Sequence, residues 1–331
     1  MREKSHTTEL RVRGLVVREV LLGETDKLLS VMTAEYGRIP IMAKGARSIK
    51  SHLITSAQLM CYSELTFYER EGRRCLREAS PIEVFYPIRL DIEGFALAQY
   101  FFSICCELFP EGNADGAADM LRLLLNSLYA IMTDLRPQPL IKAAFEFKAM
   151  ALSGFAPDLD GCAECGAVDS PYMLLDLAGG TLRCEKCVER AIREDINQSL
   201  ISRTEEERRG AAASFSLSPE LLGLLRFIAA APIKRFLSFE AEGAVAAQLG
   251  AVCENYLCNQ LERGFETLDF LHSPRANRRS RHSVRVGHRA RAGLCGERHR
   301  AGAHIKRRTK NGSHRTVSVQ PPNKLSPSYC R

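Results

Sequence analysis

Two pairs of cysteines place the tightest constraint on this chain. Cys162-Ala-Glu-Cys165 is followed, after eighteen residues, by Cys184-Glu-Lys-Cys187. Each CxxC step lets two thiolates reach one ion from a tight turn. Two such knuckles complete a tetrahedral set of four sulfurs, which zinc accepts readily because its filled shell imposes no geometry of its own. The separation falls inside the range of zinc ribbons. Gly166 follows the first knuckle and Gly179-Gly180 offers a reversal between the halves. A finger of short strands is therefore expected over residues 158–195, holding one structural zinc ion on Cys162, Cys165, Cys184 and Cys187. All four positions are sulfur, so no coordination site is open for water or substrate, and the arrangement argues for a staple over a catalytic centre. The competing reading is a thiol redox protein. Glu164, Glu185 and Glu189 weaken it, because local negative charge disfavours reactive thiolates. Of the twelve cysteines the other eight are scattered, a pattern that reads as a metal site and not a disulfide framework.

The hydrophobic pattern divides the rest of the chain. Leu10–Val20, Leu28–Thr33, Arg38–Ala43, Leu59–Tyr68 and Arg74–Ala79 read as five strands with polar turns at Tyr36-Gly37 and Glu71-Gly72, as in a small barrel or sandwich. Residues 44–57 form the longest connection, a loop with at most a helical turn. From Arg89 the period becomes helical: Phe95–Phe109, Met120–Met132 and Leu140–Leu152, the last with Gly154 as a stop and Pro157 beyond it. Ser218-Pro219 supplies a cap and first position for Leu221–Ala230, and Ala244–Leu261 is a final amphipathic helix. The fold class that follows is α+β. Its domains are a barrel over residues 1–80, a helical domain over 81–157 and 196–272 with the finger set into it, and a tail over 273–331.

Charge is distributed unevenly. Residues 1–80 carry 14 basic and 10 acidic side chains, residues 81–272 carry 16 and 28, and residues 273–331 carry 16 and 1. An acidic body thus lies between a mildly basic head and a very basic tail, which suggests a polyanion partner. The tail is rich in Arg, His, Ser, Gly and Pro and reads as disordered. It is either a basic DNA-binding arm or a frame-shifted extension, and the abrupt loss of apolar pattern favours the second. Its Cys295 and histidines form no paired knuckle. No apolar run reaches bilayer length and Met1–Glu9 is polar, so a cytoplasmic chain without a membrane partner is expected. No GxSxG, Walker A, GxGxxG or HExxH motif occurs, and only His6, His52 and His272 precede the tail. No catalytic residue is assigned, and the chain reads as a non-enzyme.

The connection after the third predicted strand reads Ala43-Lys-Gly-Ala-Arg-Ser-Ile-Lys-Ser51. Lys44, Arg47 and Lys50 recur at every third residue, Gly45 permits close backbone approach, and Ser48 and Ser51 can donate to phosphate oxygens. Loops of OB-fold barrels grip single strands with such cations and with aromatic stackers, for which Tyr36, Tyr62, Phe67 and Tyr68 are candidates. Taken alone, three cations on a loop are more often a solvated turn.

Several segments fall in one order. Gly14-Leu-Val-Val-Arg18, Glu24-Thr-Asp-Lys-Leu-Leu29, Thr33-Ala-Glu-Tyr-Gly-Arg38 and Ala43-Lys-Gly-Ala-Arg47 precede the helical region. Phe155-Ala-Pro-Asp-Leu159, Cys162-Ala-Glu-Cys-Gly166, Gly179-Gly180 and Cys184-Glu-Lys-Cys187 follow it. This succession, from about Leu10 to about His272, resembles the RecO family of DNA repair proteins. The resemblance implies an N-terminal OB-fold, a helical domain with an inserted zinc finger, and no chemical step. It also implies binding of single- and double-stranded DNA, annealing of complementary strands, and action with RecR to load RecA onto strands coated by SSB, whose C-terminal tail is a further partner. By the same resemblance Lys44, Arg47 and Lys50, and more weakly Arg38, contact DNA, and the four knuckle cysteines hold zinc. An RNA-binding or transcription-associated zinc-ribbon protein is the alternative from another class.

Overall fold

The computed structural model describes residues 8–70, 72–198 and 214–272. The basic tail, with the disorder expected of it, lies outside the described residues. Five strands, β1 (Thr8–Leu22), β2 (Asp26–Thr33), β3 (Gly37–Ala43), β4 (Tyr62–Arg70) and β5 (Arg73–Glu83), close into a barrel in the order β1-β2-β3-β5-β4. β1 pairs antiparallel with both β2 and β4, and β3 meets β5 in parallel at Met42 and Cys75. This is an OB-like barrel, and strand alternation explains how it packs. Val12 and Val16 of β1 point inward with Leu29, Val31, Ile39, Ile41, Leu65 and Phe67, while Leu15 and Val17 point outward into the helical core. One strand therefore serves two hydrophobic layers. The hairpin joining β4 and β5 pairs Arg70 with Arg73 and places Gly72 at φ +72°, a backbone region that two-residue turns require and that glycine enters at no steric cost.

A 3₁₀ turn, Tyr86–Leu90, leads into α1 (Ile92–Leu108), whose N-terminal amides of Glu93 and Gly94 donate to the Asp91 carboxylate. α2 (Ala117–Met132) and α3 (Gln138–Leu152) follow, and after the finger come α5 (Pro219–Ala230), α6 (Gly243–Gln260) and α7 (Glu266–His272). α3 is the hub: it contacts α1, α2, α5 and α6, and Leu140, Ile141 and every residue from Ala143 to Met150 are buried. The Phe101 and Phe145 rings stack with centroids 3.9 Å apart. Even its charged positions are absorbed. Glu146, fully buried, accepts from the Tyr100 hydroxyl (2.6 Å) and pairs with Lys142 (2.7 Å), which also reaches Glu254 (2.6 Å). Burial raises the Glu146 carboxyl pKa against the lowering pull of Lys142. Lys148 donates to the carbonyls of Ala229 and Ala231, both at 2.7 Å, and so satisfies the C-terminal end of α5.

The finger contains β6 (Met173–Asp176) and β7 (Thr181–Cys184), joined through Gly179-Gly180, and then α4 (Glu185–Gln198). Its sheet has a third strand, β8 (Ser214–Leu217), paired antiparallel to the free edge of β6. Residues 214–217 thus share one sheet with the finger strands. The physical reason is the exposed edge of a two-stranded ribbon, which is marginal until another strand covers it. Among the described residues no helix is long and apolar enough to cross a membrane.

Candidate metal centre and nucleic-acid interface

Local backbone geometry brings the knuckles together. Cys162 lies beside β7, its N–H donating to Ala167 O (2.9 Å) and the neighbouring Ala163 N–H to Leu182 O (2.8 Å). Gly166 N–H closes the first knuckle on Cys162 O at 2.8 Å. Cys184 ends β7 and Cys187 sits in the first turn of α4, so the second pair spans a strand-to-helix junction. The four sulfurs all lie within 4.8 Å of one another, and Cys165 Sγ and Cys184 Sγ are 3.6 Å apart. Bonds of roughly 2.3 Å to a tetrahedral ion require sulfurs about 3.8 Å apart, so this donor set fits one metal ion. Cys162, Cys184 and Cys187 are buried and Cys165 is exposed.

The electrostatics agree with a cation site. Burial opposes ionisation of Cys162, but backbone N–H groups at Cys184, Cys165 and Glu164 overcome it and hold the thiol at about 6. Burial, followed by hydrogen bonds with the other three thiols, pushes Cys187 well up. Thiols bind a cation as thiolates, so capture of an ion at this cluster releases protons. Glu164 carries its negative charge in ion pairs. It is bridged by Arg190 (2.8 Å) and Arg183 (3.2 Å), which lock the knuckle to α4 and β7 and hold its carboxyl below the usual range.

The basic loop is built on the barrel. Ala46, Leu53 and Ala57 are buried in the barrel core and tether a segment that looked nearly devoid of apolar anchors. Gly45 N–H donates to Asp26 Oδ1 (2.8 Å), Arg47 N–H to Thr25 O (2.9 Å), and the Arg47 guanidinium to Gly23 O (3.0 Å). The loop is thereby fastened to the β1–β2 turn. The Gly45 amide, then the Thr25 hydroxyl, hold the Asp26 carboxyl below its usual pKa. Ser48 N–H to Gly45 O (3.1 Å), Ser51 N–H to Ser48 O (2.9 Å) and Ala57 N–H to Leu53 O (2.8 Å) turn the chain repeatedly, ending in a single helical turn. Lys44, Arg47 and Lys50 are all exposed. Among the described residues neither Lys44 nor Lys50 is in an ion pair.

Two models of the Recombination protein O family match the chain, its N terminal part over residues 7–85 and its C terminal part over 89–269. The DNA repair protein RecO of Acetivibrio thermocellus is 31% identical over 263 residues, covering 79% of this chain and 96% of that relative. The chain belongs to the RecO family. The DNA repair protein RecO of Alkaliphilus metalliredigens is 30% identical over 178 residues, 54% of this chain and 72% of the relative. That of Halalkalibacterium halodurans is 29% identical over 180 residues, 54% and 69% respectively.

Against this RecO frame the remaining site residues fall in different places. Arg38 does not join the loop cations. Its side chain, 12% exposed, donates to Phe109 O (3.0 Å) and pairs with Glu111 (3.2 Å), fastening the barrel to the segment after α1. Gly37 beside it touches that segment so closely that an added Cβ would lie 1.8 Å from Asn113 O. Lys44 follows the far end of seven-residue β3, roughly 20 Å along the strand. Of the proposed stackers, Phe67 is fully buried in the barrel core and Tyr62 packs against the helical core. Tyr36, in the β2–β3 turn, adjoins the Arg38 end of the barrel, and Tyr68 is half-buried on β4. None of the four lies on the basic loop. Alternation along β4 could have excluded Phe67, because Leu65 and Phe67 share the inward face. No sequence signal revealed the task of Arg38, which depends on a contact 71 residues away.

Proposed function

We propose that this chain is a DNA repair and recombination mediator that binds single-stranded DNA, anneals complementary strands, and helps load RecA onto strands coated by SSB, acting with RecR. The observation that carries this reading is the anchored barrel loop with Lys44, Arg47 and Lys50 exposed together, in a chain of the RecO family. Cations on a hydrogen-bonded loop neutralise phosphates without reading bases and release counterions, which is what annealing of arbitrary sequences needs. Neutralisation also screens the repulsion between two strands brought together. The reading invokes no bond-breaking step. Arg38 is left out of the proposed surface, because its guanidinium is engaged within the fold. We assign zinc to Cys162, Cys165, Cys184 and Cys187 as a structural ion that ties β7 and α4 to the loop before β6. The barrel, the two-part helical domain and the finger are read as its domains.

The test is annealing of two complementary oligonucleotides, each coated with SSB, followed by fluorescence with and without the full chain. The expected result is acceleration that weakens with salt and is lost in Lys44→Ala/Lys50→Ala, a pair that leaves the Arg47–Gly23 bond intact. No acceleration by the parent chain, together with preference for RNA over DNA of matched sequence, would replace this reading with the RNA-binding one.

A further inference from the structure

At the outer edge of the basic loop stands Ile49, 94% exposed, the most exposed of the large apolar side chains among the described residues. Its setting is ordered on both sides. Ala46 and Leu53, three residues before and four after, are each 2% exposed in the barrel core. Between them the backbone closes turns at Ser48 and Ser51, and the Ser51 hydroxyl accepts from Leu53 N–H at 3.2 Å. The loop therefore holds Ile49 out in water, its apolar surface left uncovered. Ile49 is flanked by Arg47 and Ser48 on one side and Lys50 and Ser51 on the other.

An apolar tip flanked along the chain by cations and hydroxyls fits a ligand that offers flat apolar faces between anionic groups at short spacing. A single-stranded nucleic acid has that chemistry. We infer that Ile49 covers the face of an unpaired base while Lys44, Arg47 and Lys50 hold the flanking phosphates, so that the loop selects unpaired strands over duplex. The inference rests on the proposed role of the loop in binding DNA and specifies what the loop reads. In a duplex both faces of each base are covered by its neighbours, and inserting a side chain must unstack them. In a single strand that cost is largely absent. Every base has an apolar face, so the contact carries no sequence preference.

The experiment uses the full chain, its Ile49→Ser and Ile49→Leu variants, a single-stranded oligonucleotide carrying 2-aminopurine, and a hairpin duplex of equal phosphate number. Ile49 is almost wholly exposed, so the substitutions do not threaten the fold. For Ile49→Ser the affinity for the single strand is expected to fall by roughly three- to tenfold, the loss of one apolar contact. Duplex affinity should stay within about twofold and the log–log salt slope should be unchanged, since no phosphate contact is removed. Ile49→Leu should restore single-strand binding and the 2-aminopurine response. Equal losses on both nucleic acids, or no loss on the single strand, overturn the role of Ile49 while leaving the cationic loop standing. If the parent chain binds neither probe, the reading of the loop as a DNA surface fails first.

Discussion

The cysteine knuckles and the basic loop are both short polar motifs, yet the fold treats them oppositely. At the knuckles four side chains converge until their sulfurs share one small volume, and secondary structure is recruited around them. At the loop three cations stay exposed, Arg47 while donating to Gly23 O, and the backbone and the small apolar residues between them are fixed. A motif that must surround something dictates its own geometry from spacing alone. A motif that must display something depends on what lies beneath it, here the β1–β2 turn and the barrel core.

The comparison makes distinct demands on experiment. Cys165→Ser should have the largest effect, because three sulfurs can no longer complete the set. We expect a loss of roughly 3 kcal/mol or more, seen as a lowered thermal transition, with chelator treatment of the parent reproducing most of it. A variant that melts like the parent would remove the convergence argument. Next, Arg38→Ala should cost about 1.5–3 kcal/mol through the lost charged donor to the Phe109 carbonyl. The half-exposed pairing with Glu111 adds little. Its DNA affinity and salt slope should match the parent, and a reduced slope would return Arg38 to the binding surface. Lys44→Ala/Lys50→Ala should leave stability within about 0.5 kcal/mol, as for most exposed substitutions. Its log–log salt slope for single strands should shrink by roughly 0.7 per residue.

The smallest effect concerns Asp26. Its folded pKa lies below the ordinary carboxylate value, so the stability it contributes is present above that ordinary value and is lost as pH falls through the lowered folded one. Between neutrality and about pH 5 the Gly45 and Arg47 amides should therefore exchange with deuterium at a constant degree of protection, which drops in Asp26→Asn and in strongly acidic solution. Protection insensitive to both would mean that the loop is held by its apolar anchors alone.

Much of this architecture was legible in the sequence because local pattern and tertiary role coincide. Apolar and β-branched runs between polar turns located all five barrel strands, Ser218 caps α5 through Leu221 N–H as its position suggested, and the CxxC pairs converged. What escaped was set by contacts between distant residues. β8 is four residues long and acquires its identity only from the edge of β6. Nothing in the sequence around Arg38 announces its bonds to Phe109 and Glu111. Phe67 read as an aromatic free to stack because composition does not say which way a strand side chain points. Two of the three buried anchors of the loop, Ala46 and Ala57, are alanines, which do not register as core until something packs on them.

The lateness of β8 has a consequence for how the chain is made. The segment carrying all four cysteines leaves the ribosome before the strand that covers β6, and α3 emerges before its partner α6. A nascent chain therefore presents an open ribbon edge and an unsheathed apolar helix together. An ion captured early at the knuckles would hold that half-made sheet in register while the remaining helices are synthesised, so metal supply would govern the yield of properly folded chains more strongly than the persistence of those already finished.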